Sequence, residues 1–250
     1  MAEYLVTGGT SFIASHVIKS LLEFGHYVRT TVRDSGDEEK VGFLWELKGA
    51  KERLKIFEAD LTVEGSFDDA VNGVDGVFHI ASRVSEKFDP NISGTMNVMN
   101  SCAKSINTVK RYGTVLTLHK SLHLTNRIGL ILNAANASKF GTRGAYPNFR
   151  GGFVHIEDVV AAQILAMEEP KASGRILCSS SVAHWSEITE MLRIKYPLYP
   201  FETKCGSEEG KDMPHSLETT KIHELGFASF KSLPEMFDDC IKCFQDKGLL

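Results

Sequence analysis

The sequence lacks what would place it in a membrane, on nucleic acid or around a metal. No stretch of its 250 residues approaches the run of about 18 apolar residues that a spanning helix needs. Cationic charge is not in excess. Against 32 Asp and Glu stand 28 Lys and Arg, a formal net charge of −4, so no basic footprint for nucleic acid is present. The opening MAEYLVTGG has no basic region followed by an apolar core, and no signal peptide is predicted. Cysteine is odd in number and scattered, at Cys102, Cys178, Cys205, Cys240 and Cys243, which argues for a reducing compartment and a cytoplasmic protein. Cys240 and Cys243 form a CxxC, but no second ligand pair accompanies it, and plain helix residues is the favoured reading. Repeats and low-complexity segments are absent too. What remains is ordinary globular composition, 42% hydrophobic and 24% charged, in a chain long enough to bury a sizeable core.

What is present is an alternation of two periods. EYLVT (3–7) reads as a buried strand, followed by Phe12, Ile13, Val17, Leu21 and Leu22 at helical spacing. Gly25 is placed to end that helix. HYVRTTVR (26–33) and LKIFEAD (54–60) read as strands. DSGDEEK (34–40) reads as a solvated loop. SFDDAVNG (66–73) predicts a short helix capped by Ser66, GVFHIAS (76–82) a strand, and Ile92 to Lys104 a helix. Such alternation predicts an α/β fold, a Rossmann-type doubly wound parallel sheet, with a small C-terminal α/β substrate lobe. In that lobe, 152–170 predicts a strand end and a helix stopped by Pro170, and GRILCSS (174–180) a strand. Helices follow at 185–197 and 232–250, the latter with Pro234 in its first turn. The expected division is 1–145 and 146–250. Residues 111–149 show no clean period.

VTGGTSFIAS (6–15) follows the first strand and opens the first helix, the context a dinucleotide turn requires. Gly8 and Gly9 open the turn. Ser11 stands where the middle glycine of such a loop belongs, and Ala14, a tolerated substitute, where the last belongs. An ordinary strand-to-helix turn is the alternative. Arg33, at the end of the second strand, suits a 2′-phosphate, and Lys40 adds a second charge, so NADP is favoured over NAD. Asp34 could pair with Arg33 instead. Asp60 could accept from an adenine amino group or cap a turn.

TGGTSFIAS, TTVRD, FEADLTVEGSFDDAVNGVDGVFHIAS, GTMNVMNSCAKS, FVHIEDVVAAQILAMEEPKASGRILCSSS and SLPEMFDDCIKCFQDKGLL resemble the plant dihydroflavonol reductase-like family of extended short-chain dehydrogenase/reductases. DEEKVGFLWE, SSSVAHWSEI and KIHELGFASFKSLPEMFDDCI resemble its branch that reduces a ketone on a polyketide pyrone with NADPH, on the route to sporopollenin. The resemblance covers residues 1 to about 111 and about 146 to 250. It implies that Gly8, Gly9, Thr10, Ser11, Phe12 and Ile13 hold a pyrophosphate, and that Arg33 and Lys40 hold the 2′-phosphate. It also implies that Asp60 and Leu61 flank adenine, while Ile80, Ala81 and Ser82 lie beside the nicotinamide half. The implied partner is a small polyketide or phenolic ketone. Glycine is usual at position 11 and a smaller residue at position 80, so weaker cofactor binding than in relatives is expected.

The same family works through a serine and a Tyr-x-x-x-Lys pair that protonates the substrate oxygen while hydride is delivered, because that addition builds negative charge on oxygen. Four residues after Tyr4, Tyr27, Tyr112, Tyr146, Tyr196 and Tyr199 stand Gly8, Thr31, Leu116, Arg150, Pro200 and Thr203. None is lysine. Tyr146 with Arg150 is a poor imitation, and His119 with Lys120 has no partner at helical spacing. No catalytic residue is assigned. The resemblance implies that a strand end, the catalytic helix and a further strand are missing between Arg111 and Tyr146.

Overall fold

A computed structural model describes residues 1–82, 89–105, 107–114, 145–146, 148–199, 201, 204–206 and 215–248. The chain divides into two compact units, Met1–Leu116 with Val159–Ser173, and Thr117–Asp158 with Gly174–Leu250. A contiguous split after residue 145 would instead leave 159–173 with the second unit.

In the first unit, β1 (Glu3–Thr7), β2 (Tyr27–Val32), β3 (Leu54–Glu58), β4 (Gly76–His79) and β5 (Arg111–Thr114) form a parallel sheet in the order β3-β2-β1-β4-β5. Leu5 of β1 stands between Arg29 of β2 and Val77 of β4. The order reverses between β1 and β4, so the topological switch lies at their C-terminal ends. Helix α1 (Phe12–Glu23) buries Ala14, Val17, Ile18, Leu21 and Leu22, one stripe at helical spacing. Gly25, at φ +85°, ends it, its N–H donating to Leu22 O at 3.0 Å. The next helices are α2 (Glu38–Trp45), α3 (Ala50–Arg53), α4 (Asp68–Val71) and α5 (Asp89–Lys104). Phe67, Ala70, Val71 and Val98 pack with Leu5 and Val77 in one core cluster. The helix Ile156–Glu168 is α6. A side chain at Gly76 would meet Met167 Sδ at 2.7 Å, so glycine is what lets this helix lie on β4.

The second unit pairs β6 (Arg150–Phe153) antiparallel with β7 (Ser181–His184). The helices of this unit are α7 (Trp185–Lys195), α8 (Thr220–Glu224) and α9 (Leu233–Asp246). Trp185, Phe153, Ile188, Phe237 and Ile241 form its core. Ser232 and Glu235 make a reciprocal capping box at the start of α9. On the same helix Cys240 lies half-buried against the core, its thiol pushed up to about 11 by burial, while Cys243 is exposed.

Three expectations are corrected. Residues 38–40 are not loop but the first turn of α2, because the Asp37 side chain accepts from Lys40 N and caps it. Ser66 does not cap α4; its hydroxyl donates to Asp60 O at 2.8 Å and accepts from Asp60 N at 3.2 Å, tying off the preceding turn. Residues 174–180 form no strand ladder among the described residues. Pairing with β6 begins at Ser181, one residue beyond the apolar run.

Candidate nucleotide turn at the sheet's switch point

The turn after β1 is built by close contacts that only glycine permits. Gly8 has φ +73°, and a Cβ there would stand 3.0 Å from Ala81 Cα. A Cβ at Gly9 would stand 2.3 Å from Thr30 Oγ1. Gly8 N donates to Thr31 Oγ1 at 3.2 Å and Gly9 N to Thr31 O at 2.9 Å, so β2 holds the turn in place. Ser11 N closes it on Gly8 O at 2.9 Å. Ser11 is the extended N-cap of α1, and its side chain makes no cap bond. The first intrahelical bond, from Ser15 N to Ser11 O, leaves the amides of Phe12, Ile13 and Ala14 ahead of it. Thr10, Ser11 and Phe12 are exposed and Ile13 is half-buried. Such an uncapped helix start carries partial positive charge and free donors suited to phosphate.

At the end of β2, Arg33 is exposed and has no hydrogen bond or ion pair among the described residues. Asp34 does not take it: Asp34 Oδ1 accepts from Gly36 N at 2.9 Å. Lys40 is differently placed. Its ammonium is paired with Asp37, whose carboxyl this hydrogen bond holds below the usual range. Asp60 Oδ1 accepts from Thr62 N at 2.7 Å and Thr62 Oγ1 at 2.6 Å, the turn-capping alternative. Leu61 is half-buried, and its carbonyl accepts from Asn97 Nδ2 of α5 at 2.9 Å.

At the end of β4 the structure brings in residues that pattern reading passed over. Thr7 Oγ1 accepts from Ile80 N and Ala81 N, each at 3.0 Å, and lies 2.9 Å from His79 Nδ1. His79 Nε2 lies 3.3 Å from Thr95 Oγ1. Burial pushes the imidazole down to about 4, so it is neutral near pH 7. Ile80 is buried, Ala81 half-buried and Ser82 exposed. Thr7, Thr30, Thr31 and His79 read in the sequence only as strand residues. The clue was their place, at strand ends beside a glycine pair.

Tyr146 belongs to the second unit, where its ring packs on that core and its backbone accepts from Gly206 N at 2.7 Å. The Arg150 guanidinium is bound by Glu187. His119 and Lys120 lie outside the described residues.

Comparison with known proteins fits this geometry. The model of the NAD dependent epimerase/dehydratase family matches residues 4–119. The chain is 54% identical to tetraketide alpha-pyrone reductase 2 of Arabidopsis thaliana, over all of both chains. That alignment spans 321 positions against 250 residues here, a difference of 71. Dihydroflavonol 4-reductase of Gerbera hybrida is 30% identical, with 100% of this chain and 87% of that one covered. Among solved structures, vestitone reductase from alfalfa superimposes with TM-score 0.75 and 27% identity, over 100% of both chains. The chain belongs to the NAD dependent epimerase/dehydratase family of extended short-chain dehydrogenase/reductases, in the group that includes the dihydroflavonol and tetraketide alpha-pyrone reductases.

Proposed function

We propose that this chain is an NADPH-dependent reductase by descent, acting on a ketone of a small polyketide or flavonoid-like molecule, and that it retains the cofactor half of that reaction. The observation that carries the first part is the Gly8–Gly9 turn, whose two backbone approaches any side chain would fill, with an unpaired arginine one strand away. These residues fit a dinucleotide. The amides from Gly9 to Ile13 would hold the pyrophosphate, and Arg33 would grip the 2′-phosphate with both arms of its guanidinium. Lys40, already paired with Asp37, would add less. Asp60 and Leu61 would flank adenine. Ile80, Ala81 and Ser82 would border the nicotinamide half, which supplies hydride when bound. The five scattered free thiols and the lack, among the described residues, of a helix long and apolar enough to cross a membrane support a cytoplasmic site of action.

The proton-donating half is where the chain departs. None of its tyrosines is followed four residues on by lysine, and the 71 positions without a residue here are ample for a strand and the helix that carries that pair. Loss of a general acid costs on the order of 10²–10⁴ in rate. A second reading therefore has support of its own: a protein that binds NADPH and turns over little ketone.

Calorimetric titration of the full chain with NADPH, and with NADH as control, tests the first part. Micromolar binding that prefers NADPH is expected, and no binding by a cooperatively folded chain would refute the reading. Consumption of NADPH with a tetraketide pyrone then separates the two halves. A rate within about tenfold of that of the Arabidopsis relative would sink the second reading, since it leaves no room for a lost general acid.

A further inference from the structure

Open α/β sheets receive ligands in the crevice outside the strand ends where the order reverses, here the ends of β1 and β4. One hydroxyl spans that crevice. Thr7 Oγ1, fully buried, accepts both Ile80 N–H and Ala81 N–H. With both lone pairs engaged, its proton is committed to His79 Nδ1. The imidazole must then carry its own proton on Nε2, where Thr95 Oγ1 of α5 accepts it. A proton on Nδ1 would ask the Thr7 oxygen to accept a third time, and one of the two amides would be lost.

Those amides matter to the turn. Ala81 Cα lies so near Gly8 that a Cβ on the glycine would stand 3.0 Å from it. The strand end held by Thr7 is thus a wall of the phosphate turn as well as the border of the nicotinamide half. A histidine whose only task was to fill the core would need no such directed chain from β1 to α5.

We propose that His79 is a positioning residue: by holding the Thr7 hydroxyl as acceptor toward Ile80 and Ala81, it fixes the strand end that receives the nicotinamide half, a role that rests on the NADP reading above. Arg33, at the other end of the site, has no part in this chain.

Two probes separate the ends. NADPH spans the whole site, whereas adenosine 2′-monophosphate, which has no 5′-phosphate for the turn, reaches only the Arg33 half. Each is titrated into the full-length wild type, His79→Leu and His79→Asn. The Oδ1 of Asn stands where Nδ1 stands and can accept from Thr7. His79→Leu is expected to weaken NADPH roughly tenfold, the scale of one misplaced buried hydrogen bond, and to leave the monophosphate within about twofold. His79→Asn is expected to restore most of the loss. Wild-type affinity for NADPH in His79→Leu overturns the proposal, and so does equal loss of both probes with a cooperative melt retained. A wild type that binds neither probe overturns the NADP reading itself. Nitrogen-15 NMR of the wild type tests the arrangement without any variant: the Nε2–H tautomer of His79 is expected, and a proton on Nδ1 overturns it.

Discussion

Replacing Gly9 by alanine adds a methyl that would stand 2.3 Å from Thr30 Oγ1, 3.0 Å from its Cγ2 and 3.2 Å from its Cβ. Thr30 cannot move aside. It is fully buried, its hydroxyl donates to Val6 O at 2.8 Å, and rotation about χ1 would break that bond. Forcing a methyl into such a site costs about 1–3 kcal/mol, and the rigid neighbour puts this case near the upper end. Thr30→Ala alone removes a hydroxyl and a methyl and costs about 1–2 kcal/mol. In the double variant the two closest atoms are gone, and the remaining 3.2 Å contact needs only a few tenths of an ångström of give. The double variant should therefore be more stable than the sum of the single losses implies, with a coupling of about 1.5 kcal/mol. Urea melts of the four proteins, without ligand, measure it. Additivity within about 0.5 kcal/mol would refute the claim that the glycine is required by Thr30.

Arg33→Ala should cost NADPH binding roughly tenfold to a hundredfold and leave NADH unchanged, as loss of a charge-assisted phosphate contact does. Lys40→Ala should cost less than about threefold, because Asp37 already engages that ammonium; equal effects in calorimetry would contradict the assignment. Ser11→Gly should tighten NADPH by about fivefold, since the serine makes no cap bond to lose and its side chain stands where the phosphates approach; no gain would refute that account. His79 is pushed from its ordinary 6.5 to about 4, so the unfolded chain binds its proton first and stability falls as pH drops from 6.5 towards 4. That group should account for about 3 kcal/mol of the loss between pH 7 and pH 4, and His79→Gln should show an acid loss smaller by that amount in urea melts.

The sheet and the turn were legible because their signals are local. Gly8, Gly9 and the apolar stripe from Ala14 to Leu22 declare a strand, a turn and a helix within one short window. The place of Arg33 at the end of β2 was legible for the same reason, since it follows from the strand pattern alone. The Thr7 hydroxyl was not, because its partners Ile80 and Ala81 are 73 and 74 residues away and parallel pairing leaves no local trace. Lys40 reads as a free cation until Asp37 is seen to cap α2 with the same carboxylate that binds it. Ser66 was placed at a helix cap by residue type, yet the Asp60 backbone offers it both a donor and an acceptor. GRILCSS has the alternation of a strand, but a strand exists only where a neighbour supplies the ladder, and β6 meets Ser181 instead.

The two halves of the reaction are held by different means, and that difference governs what can be lost. Among the described residues, the contacts at the turn come from β1, β2, α5 and the end of β4: Thr30 and Thr31 under the glycines, Thr7 and His79 across the switch, Ala81 against Gly8, Thr95 behind them. The chemistry of a carbonyl reduction has the opposite character. It needs a proton donor and its activating cation at one precise separation, which a helix supplies one turn apart and no scattered tyrosine replaces. On the proposed reading, a chain can then shed the catalytic helix and keep its nucleotide turn. The reverse is not available, because a proton donor without the turn has no hydride to accompany. Restoring a Tyr-x-x-x-Lys helix to this chain should then raise ketone turnover while leaving NADPH affinity within about threefold. A large gain in affinity would show instead that the turn had depended on that helix.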